Sequence, residues 1–508
     1  MRILSAEGAR KVDRIAMEEL DVAGTALMEL AGSAVADKAV AMSNGGRIGV
    51  ICGKGNNGGD GYACAAALKT MGIETEVISP EPADSLTGDS KHFYAFCQEL
   101  HLDISHGVAV HEVDLNVFDL LVDGLLGIGI TGEVRPQSAA WIKTINDAKA
   151  KRLSIDIPSG VNATSGSVHG AAVQADSTVT MGFMKQGLIL QPGRSMSGDV
   201  TVADLGYPEK AFAGQTFNKR LIGQQFVKDS LTAPESHTYK HRQGKLLIIA
   251  GSRGFTGAAI LCANAAMRSG SGLVLCAVPE SLNIVFEKQL QEPMTLPLPD
   301  SGRGFLDDAA FPLIAEKMEW CDAILIGPGL GTDVAVAPLL KRVLQESRKP
   351  TLIDADAITH IIEEHSIFES MNCPFVLTPH HGEASRLFDV PQDEITSDPF
   401  SFAGEAAENT GGVIVLKGAP TLTAFQHEVV ANSTGHQGLA SGGTGDVLAG
   451  IIGSFLSQGM SLETAAQVGV YLHGKCADRL LYNKGYRGLI ASDLIETIPS
   501  IISEYETS

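Results

Sequence analysis

The feature that most restricts the fold is one local pattern, repeated along the chain. A short apolar run ends in a small or acidic residue, passes into a glycine-rich loop and continues as a helical stretch. It appears at 47–52 (RIGVIC) ahead of GKGNNGGDGYACAAALKTMG, at 120–123 ahead of GLLGIGITGEVRP, and at 153–156 ahead of Ile157-Pro158-Ser159-Gly160, with a further run at 75–78. It returns at 245–250, 272–277, 323–326, 350–354, 375–378 and 412–416. Apolar runs of this length alternating with helices are the signature of an α/β fold, in which mostly parallel sheets are flanked by helices. Open parallel sheets hold their ligands just beyond the C-terminal ends of the strands. The loops that follow the runs are therefore the places where chemistry is expected.

A length of 508 residues accommodates two to four domains. Strand periodicity is lost over 204–232, which places a boundary near 215–225 and predicts one domain at 1–218, Rossmann-like, and another at 225–508. The formal net charge of −21 argues against nucleic acid and anionic membrane as partners. A small anionic ligand is compatible with that charge, because backbone amides and helix ends bind phosphate without a basic surface. His237, Lys240, His241 and Arg242 form the main local cluster of positive charge, either a solvated turn or an anion contact. Eight cysteines without a C-x-x-C pair read as reduced core residues. The first twenty residues lack the apolar centre of a signal peptide, and no window approaches ~18 strongly apolar residues, so a soluble cytoplasmic protein is expected.

In the first half, Asn56, Asn57 and Asp60 put side-chain oxygens into a loop that a simple phosphate site would not need. Such oxygens suit a hard cation, or serve turns and helix caps. Asp123 and Asp156 each end an apolar run and should meet this loop in one crevice. Asp156 is either an acid/base group or the cap of the next turn. The segments GNNGGDG (55–61), LVDGLLGIGITGE (121–133) and SIDIPSGVNATSG (154–166), preceded by LMELAGSAVA (27–36), together resemble the NAD(P)H-hydrate epimerase domain over about the first 215 residues. The resemblance implies that Asn56, Asn57, Gly58, Gly59 and Asp60, with Gly127, Ile128, Gly129, Ile130, Thr131, Gly132 and Glu133, contact the hydrated dinucleotide. It implies K⁺ ligands at Asn57, Asp123 and Ser159, and a catalytic Asp156 at the reacting ring.

In the second half the loops are GSRGFTG, GPGLG (327–331), Pro379-His380-His381-Gly382-Glu383, Lys417-Gly418-Ala419-Pro420-Thr421 and GLASGGTGDVLAG. In the last of these, Val447, Leu448, Ile451, Ile452, Phe455 and Leu456 have helical spacing, so a glycine-rich loop feeds a buried helix N-terminus. That junction attracts phosphate, and Asp446 beside it is either a base or an ordinary N-cap. His380, His381 and Glu383 suit a pocket or a cap better than a metal, having no further ligands at metal spacing. Lys417 either pairs with phosphate or is solvated. These loops in this order resemble the ribokinase-like superfamily, and within it the ADP/ATP-dependent NAD(P)H-hydrate dehydratase domain, over roughly residues 225–505. The resemblance implies a nucleotide site at Lys417, Gly418, Ala419, Pro420, Thr421 and Gly445, and a hydrate site at Ala258, Gly329, His380 and the catalytic Asp446. His381 stands where the family often has proline, which removes a stiffening residue from that loop.

Both halves thus point to one damaged cofactor, hydrated NADH or NADPH. The first would equilibrate its R and S forms and the second would dehydrate the S form with cleavage of ADP or ATP. Mg²⁺ is expected with the nucleotide, K⁺ in the first domain, and the resemblance suggests a homo-oligomer. A small-molecule kinase fused to a non-catalytic nucleotide-binding module is the competing reading.

Overall fold

The computed structural model describes residues 1–130, 132–212, 217–362 and 366–506. The chain forms two compact units, Met1–Phe217 and Asn218–Ser508.

The first unit is built on seven strands, β1 (Ile48–Cys52), β2 (Thr75–Ser79), β3 (Asp103–His106), β4 (Leu120–Gly124), β5 (Lys151–Ile155), β6 (Ser177–Met181) and β7 (Asp199–Ala203). They lie in the order β3-β2-β1-β4-β5-β6-β7, and every pairing is parallel. The chain runs outward from β1 to β3, returns to β4 and then proceeds the other way. The reversal between β1 and β4 leaves a crevice at the C-terminal ends of those two strands. β1, β4 and β6 are buried at every position, as strands covered by helices on both faces must be. On one face Val35, Tyr62 and Leu68 pack over Val50 and Val122. On the other, Trp141, Ile142 and Ile145 pack over Ile51 and Leu121. Helices Gly24–Ser43 and Asn56–Thr70 approach so closely that a Cβ on Gly32 would lie 2.5 Å from that of Ala63.

The strands β3, β6 and β7 carry no continuous apolar run. β3 is polar and partly exposed, β6 alternates Thr with apolar residues, and β7 is half exposed at the sheet edge. The loop expected at GNNGGDG is shorter than its composition suggests. The helix already begins at Asn56, so Asn56, Asn57 and Asp60 occupy its first turns.

The second unit contains β8 (Lys219–Leu221), β9 (Lys245–Ile249), β10 (Leu273–Pro279), β11 (Met294–Leu298), β12 (Ala323–Ile326), β13 (Thr351–Ile353), β14 (Phe375–Leu377), β15 (Val413–Leu416), β16 (Leu422–Phe425) and β17 (Glu428–Ala431). Their order is β8-β17-β16-β15-β14-β13-β12-β9-β10-β11, parallel except where β16 pairs antiparallel with β15 and β17. The reversal falls between β9 and β12. β8 lies in the stretch that showed no strand periodicity, and it forms because three residues find an open edge on β17. Helices Thr256–Arg268, Thr444–Ser457, Leu462–Lys484 and Ala491–Tyr505 contribute to this unit's core. The second of these is buried along nearly its whole length. All eight cysteines are buried and free. Among the described residues no helix is long and apolar enough to cross a membrane.

Candidate active sites

A cavity of about 890 Å³ opens at the strand reversal of the first unit. Asn56, Asn57, Asp60, Gly127, Ile128, Gly129, Ile130, Gly132, Glu133 and Asp156 all border it. Thr131 lies outside the described residues. Gly58 and Gly59 do not border the cavity. A Cβ on Gly58 would run into the Gly53 carbonyl, and one on Gly59 would lie 2.6 Å from the Met28 Cε and the Ser90 Oγ. These two glycines let the helix start tuck beneath the loop, and the cavity wall comes from their neighbours.

Asp156 follows β5 with φ +63, an unusual backbone conformation for a residue with a side chain. Its Oδ1 accepts hydrogen bonds from the Thr180 hydroxyl at 3.1 Å, the Met181 amide at 3.0 Å and the Lys185 ammonium at 2.5 Å. Lys185 also donates to the Met181 carbonyl at 2.7 Å. The apolar surroundings of Lys185 in MGFMKQGLIL hid it in the sequence. Asp13 and Tyr207 also border the cavity and are joined by a 2.5 Å hydrogen bond from the Tyr207 hydroxyl. Burial raises the pKa of Asp13, against the Tyr207 hydrogen bond. Burial, with the nearby Asp156 and Asp13 carboxyls, pushes Asp60 well above the carboxylate range.

Behind this wall Asp123 is fully buried. Its carboxylate accepts from the Ser159 hydroxyl at 2.6 Å, the Ser159 amide and the Ser154 hydroxyl each at 2.9 Å, and the Leu125 amide at 3.3 Å. Burial nevertheless holds its pKa above the usual value. Ser159 Oγ accepts from the Leu126 amide at 2.8 Å, and Asn57 Nδ2 donates to the Leu126 carbonyl at 2.9 Å. Asn57, Asp123 and Ser159 are thus drawn together around Leu126. The set consists of hard oxygen donors and includes a buried carboxylate held by hydroxyl and amide donors. That chemistry fits a potassium ion.

In the second unit the loops after β9, β12, β13, β14 and β15 meet the start of helix Thr444–Ser457. Gly329, at φ +60, lies where an added Cβ would clash with the Phe255 carbonyl and stand 3.2 Å from the Ala258 Cβ. Ala258 and Gly329 are therefore neighbours. Cys262, one turn further along the same helix as Ala258, donates its thiol to the Asp446 carbonyl at 3.1 Å. A Cβ on Gly443 would lie 2.6 Å from Leu261, and one on Gly445 would lie 3.8 Å from Lys417 Nζ. Lys417 pairs with Asp354 at 2.8 Å, and Asp354 also accepts from the Thr378 hydroxyl at 2.7 Å. Burial opposes the Lys417 charge, but Asp354, Glu383 and Asp446 outweigh it and raise its pKa. Burial first, then Asp354, pushes Asp446 up to about 7. Asp354 was visible in the sequence only as a strand end.

His380 adjoins Lys417 through a parallel bridge between their backbones. Its Nδ1 caps helix His381–Phe388 by accepting from the Gly382 and Glu383 amides at 3.0 and 3.2 Å, while Glu383 accepts from the His380 amide. The capping role holds for this ring nitrogen, and among the described residues no group of three or more His, Cys, Asp or Glu could hold a metal. Thr421 Oγ1 donates back to the Gly418 carbonyl at 3.1 Å, closing the loop around Ala419 and Pro420. Gly418 itself packs against the His381 ring.

Residues 246–500 match the family model described as NAD(P)H-hydrate dehydratase, and residues 24–187 match that of the YjeF-related protein N-terminus. The whole chain is 35% identical to a bifunctional NAD(P)H-hydrate repair enzyme of Moorella thermoacetica, covering 97% of it. It is 34% identical to the enzyme of the same name from Escherichia coli, over 89% of this chain and 84% of that one. Among solved structures, an ADP/ATP-dependent NAD(P)H-hydrate dehydratase from Bacillus subtilis, co-crystallised with ATP and Mg²⁺, superimposes with a TM-score of 0.50 and 29% identity. It covers 57% of this chain and 100% of its own. A ribokinase-like superfamily protein from Enterococcus faecalis gives 0.51 and 29%, covering 58% and 99%.

Proposed function

The chain belongs to the family of bifunctional NAD(P)H-hydrate repair enzymes, epimerising the hydrated cofactor and dehydrating it with ADP or ATP, and we propose that Asp156 and Asp446 are the proton-transfer groups of the two reactions. The observation that carries the proposal is the environment of Asp446. A carboxyl at the start of a buried helix, pushed up to about 7, stays partly ionised at neutral pH and takes up a proton more readily than an ordinary carboxylate, which suits a base.

In the hydrate, C6 bears both a hydroxyl and the ring nitrogen. Epimerisation then requires the oxygen to leave with a proton while the nitrogen lone pair forms a C=N bond, and water to return on the other face and lose a proton. Opening and reclosing of the ring needs the same proton traffic. Asp156, on the cavity wall, is the group assigned to carry it. Asn57, Asp123 and Ser159 would hold K⁺, which neutralises the buried carboxylate and ties the loops together.

For dehydration, Asp446 takes the C6 hydroxyl proton, and the oxygen attacks the terminal phosphoryl group of the nucleotide, whose phosphoanhydride bond breaks to release AMP from ADP or ADP from ATP. The C6–O bond then breaks with phosphate as leaving group, pushed by the ring nitrogen, and loss of a C5 proton restores the double bond. Lys417 and the amides at 442–445 meet the charge on the transferring group. Mg²⁺ would be carried chiefly by the nucleotide phosphates, as is usual for this ion. Ala258, Gly329 and His380 are assigned to the hydrate, and Lys417 to Thr421 with Gly445 to the nucleotide. A cytoplasmic homo-oligomer completes the proposal.

The test incubates mixed R and S hydrates of NADH with the protein and ADP or ATP, following hydrate loss, NADH and phosphate. Complete conversion of both epimers with one phosphate released per NADH is expected. A stable phosphorylated product instead would favour a small-molecule kinase, and consumption of the S form alone would remove the epimerase assignment.

A further inference from the structure

Lys185 is the only lysine or arginine among the described residues that is fully buried, at 2% exposure, and yet it borders the cavity of the first unit. Burying an ammonium is costly unless it is paired, and positions that accept the cost tend to be functional. Its place is fixed from several directions. Met184–Lys185 forms a short strand against Ile3–Leu4, with Leu4 opposite Lys185. The Phe183 ring lies 4.8 Å from Nζ, and the Met181 carbonyl takes one of its protons.

Of the six carboxyls that border the same cavity, Asp13 from helix Ala6–Arg14, Asp60 from helix Asn56–Thr70 and Asp156 after β5 lie close enough to act on one another and to feel the Lys185 charge, with the Tyr207 hydroxyl beside them. Lys185 makes its 2.5 Å ion pair with Asp156 alone. All the hydrogen bonds given to the Asp156 carboxylate by described residues converge on Oδ1, which leaves Oδ2 to meet a ligand. Asp13 is engaged by Tyr207, and burial favours the protonated form of both Asp13 and Asp60. The arrangement sets one carboxylate paired with a cation beside two whose burial disfavours ionisation, the division of labour that acid/base sites use.

We propose that Lys185 is the positioning residue of the epimerase reaction, fixing Asp156, and neither Asp13 nor Asp60, as the carboxylate that exchanges protons with the hydrate. The proposal rests on the epimerase reading of this cavity. Its test measures R-to-S conversion by the full-length protein across pH. Lys185→Met should lower kcat by about 100-fold with little change in KM, and should move the acidic limb of the profile upward, because a carboxylate that loses its cation binds protons more tightly. Lys185→Arg, which keeps the charge, should retain the limb and most of the rate. Where the methionine variant does not fold, the arginine variant decides, and an upward move of its limb counts against the proposal. An acidic limb unmoved in Lys185→Met, whatever the rate, overturns it. Asp156→Asn is run in parallel. If that variant stays active, the reading of the cavity fails; if it is inactive while Lys185→Met is not, only the role of Lys185 fails.

Discussion

A carboxyl that titrates near neutrality has opposite effects on activity and on stability. Asp446 is pushed up to about 7 by burial and by Asp354, with Lys417 pulling the other way. As a base it works only when ionised, so dehydration should rise with pH through about 7 while epimerisation need not follow. Stability runs the other way. A folded-state value above the unfolded one contributes stability that is fully present below about 3.8 and is lost as pH rises through about 7. Asp446→Asn, which cannot ionise, should therefore abolish dehydration, leave epimerisation intact, and melt higher than the parent at pH 8 than at pH 5. Steady-state assays and thermal scans at the two pH values check both halves. Asp446 and Asp156 could be read from sequence because each stands where a strand or loop delivers a side chain to a sheet edge. Their partners Asp354 and Lys185 could not. Which carboxylate faces which ammonium depends on a 63-residue separation in one case and 29 in the other, and no local pattern encodes it.

Helix Thr444–Ser457 presents Asp446 at its first turn, so the placement of that carboxyl depends on how the helix packs. Gly450 sits against the Cys262 carbonyl of helix Thr256–Arg268, and any Cβ there would collide with main chain. Backbone cannot give way as a flexible side chain can. Gly450→Ala should cost about 1 to 3 kcal/mol of stability and should slow dehydration further by displacing Asp446 from Lys417, while epimerisation stays at the parent rate. Denaturant melts and the two assays on one preparation separate these effects. The helix itself was legible because its apolar residues recur at helical spacing, and strands such as β9 and β12 because they are buried on both faces and so read as continuous apolar runs. β7 and β8 were not, since an edge strand needs no continuous apolar run, and three residues carry too little pattern to register.

At the scale of the whole chain, each unit has its own hydrophobic core and its own sheet reversal. The boundary read from sequence allowed a second domain starting at 225, but β8 places 218–224 within the second unit. Asn218 accepts the Val429 amide at 2.7 Å, Arg220 donates to Gln467 at 2.9 Å, and Ile222 is buried in the core at 4% exposure. A fragment beginning at 225 would expose the edge of β17 and lose the burial of Ile222, worth about 1.5 to 3 kcal/mol by itself. A fragment of residues 218–508 should dehydrate S-hydrate with full-length kinetics and should not epimerise. The same fragment begun at 225 should melt several degrees lower and aggregate more readily, because an unpaired sheet edge templates association. Equal melting temperatures for the two fragments would show that β8 contributes nothing to the second unit's stability and that its boundary lies after this strand.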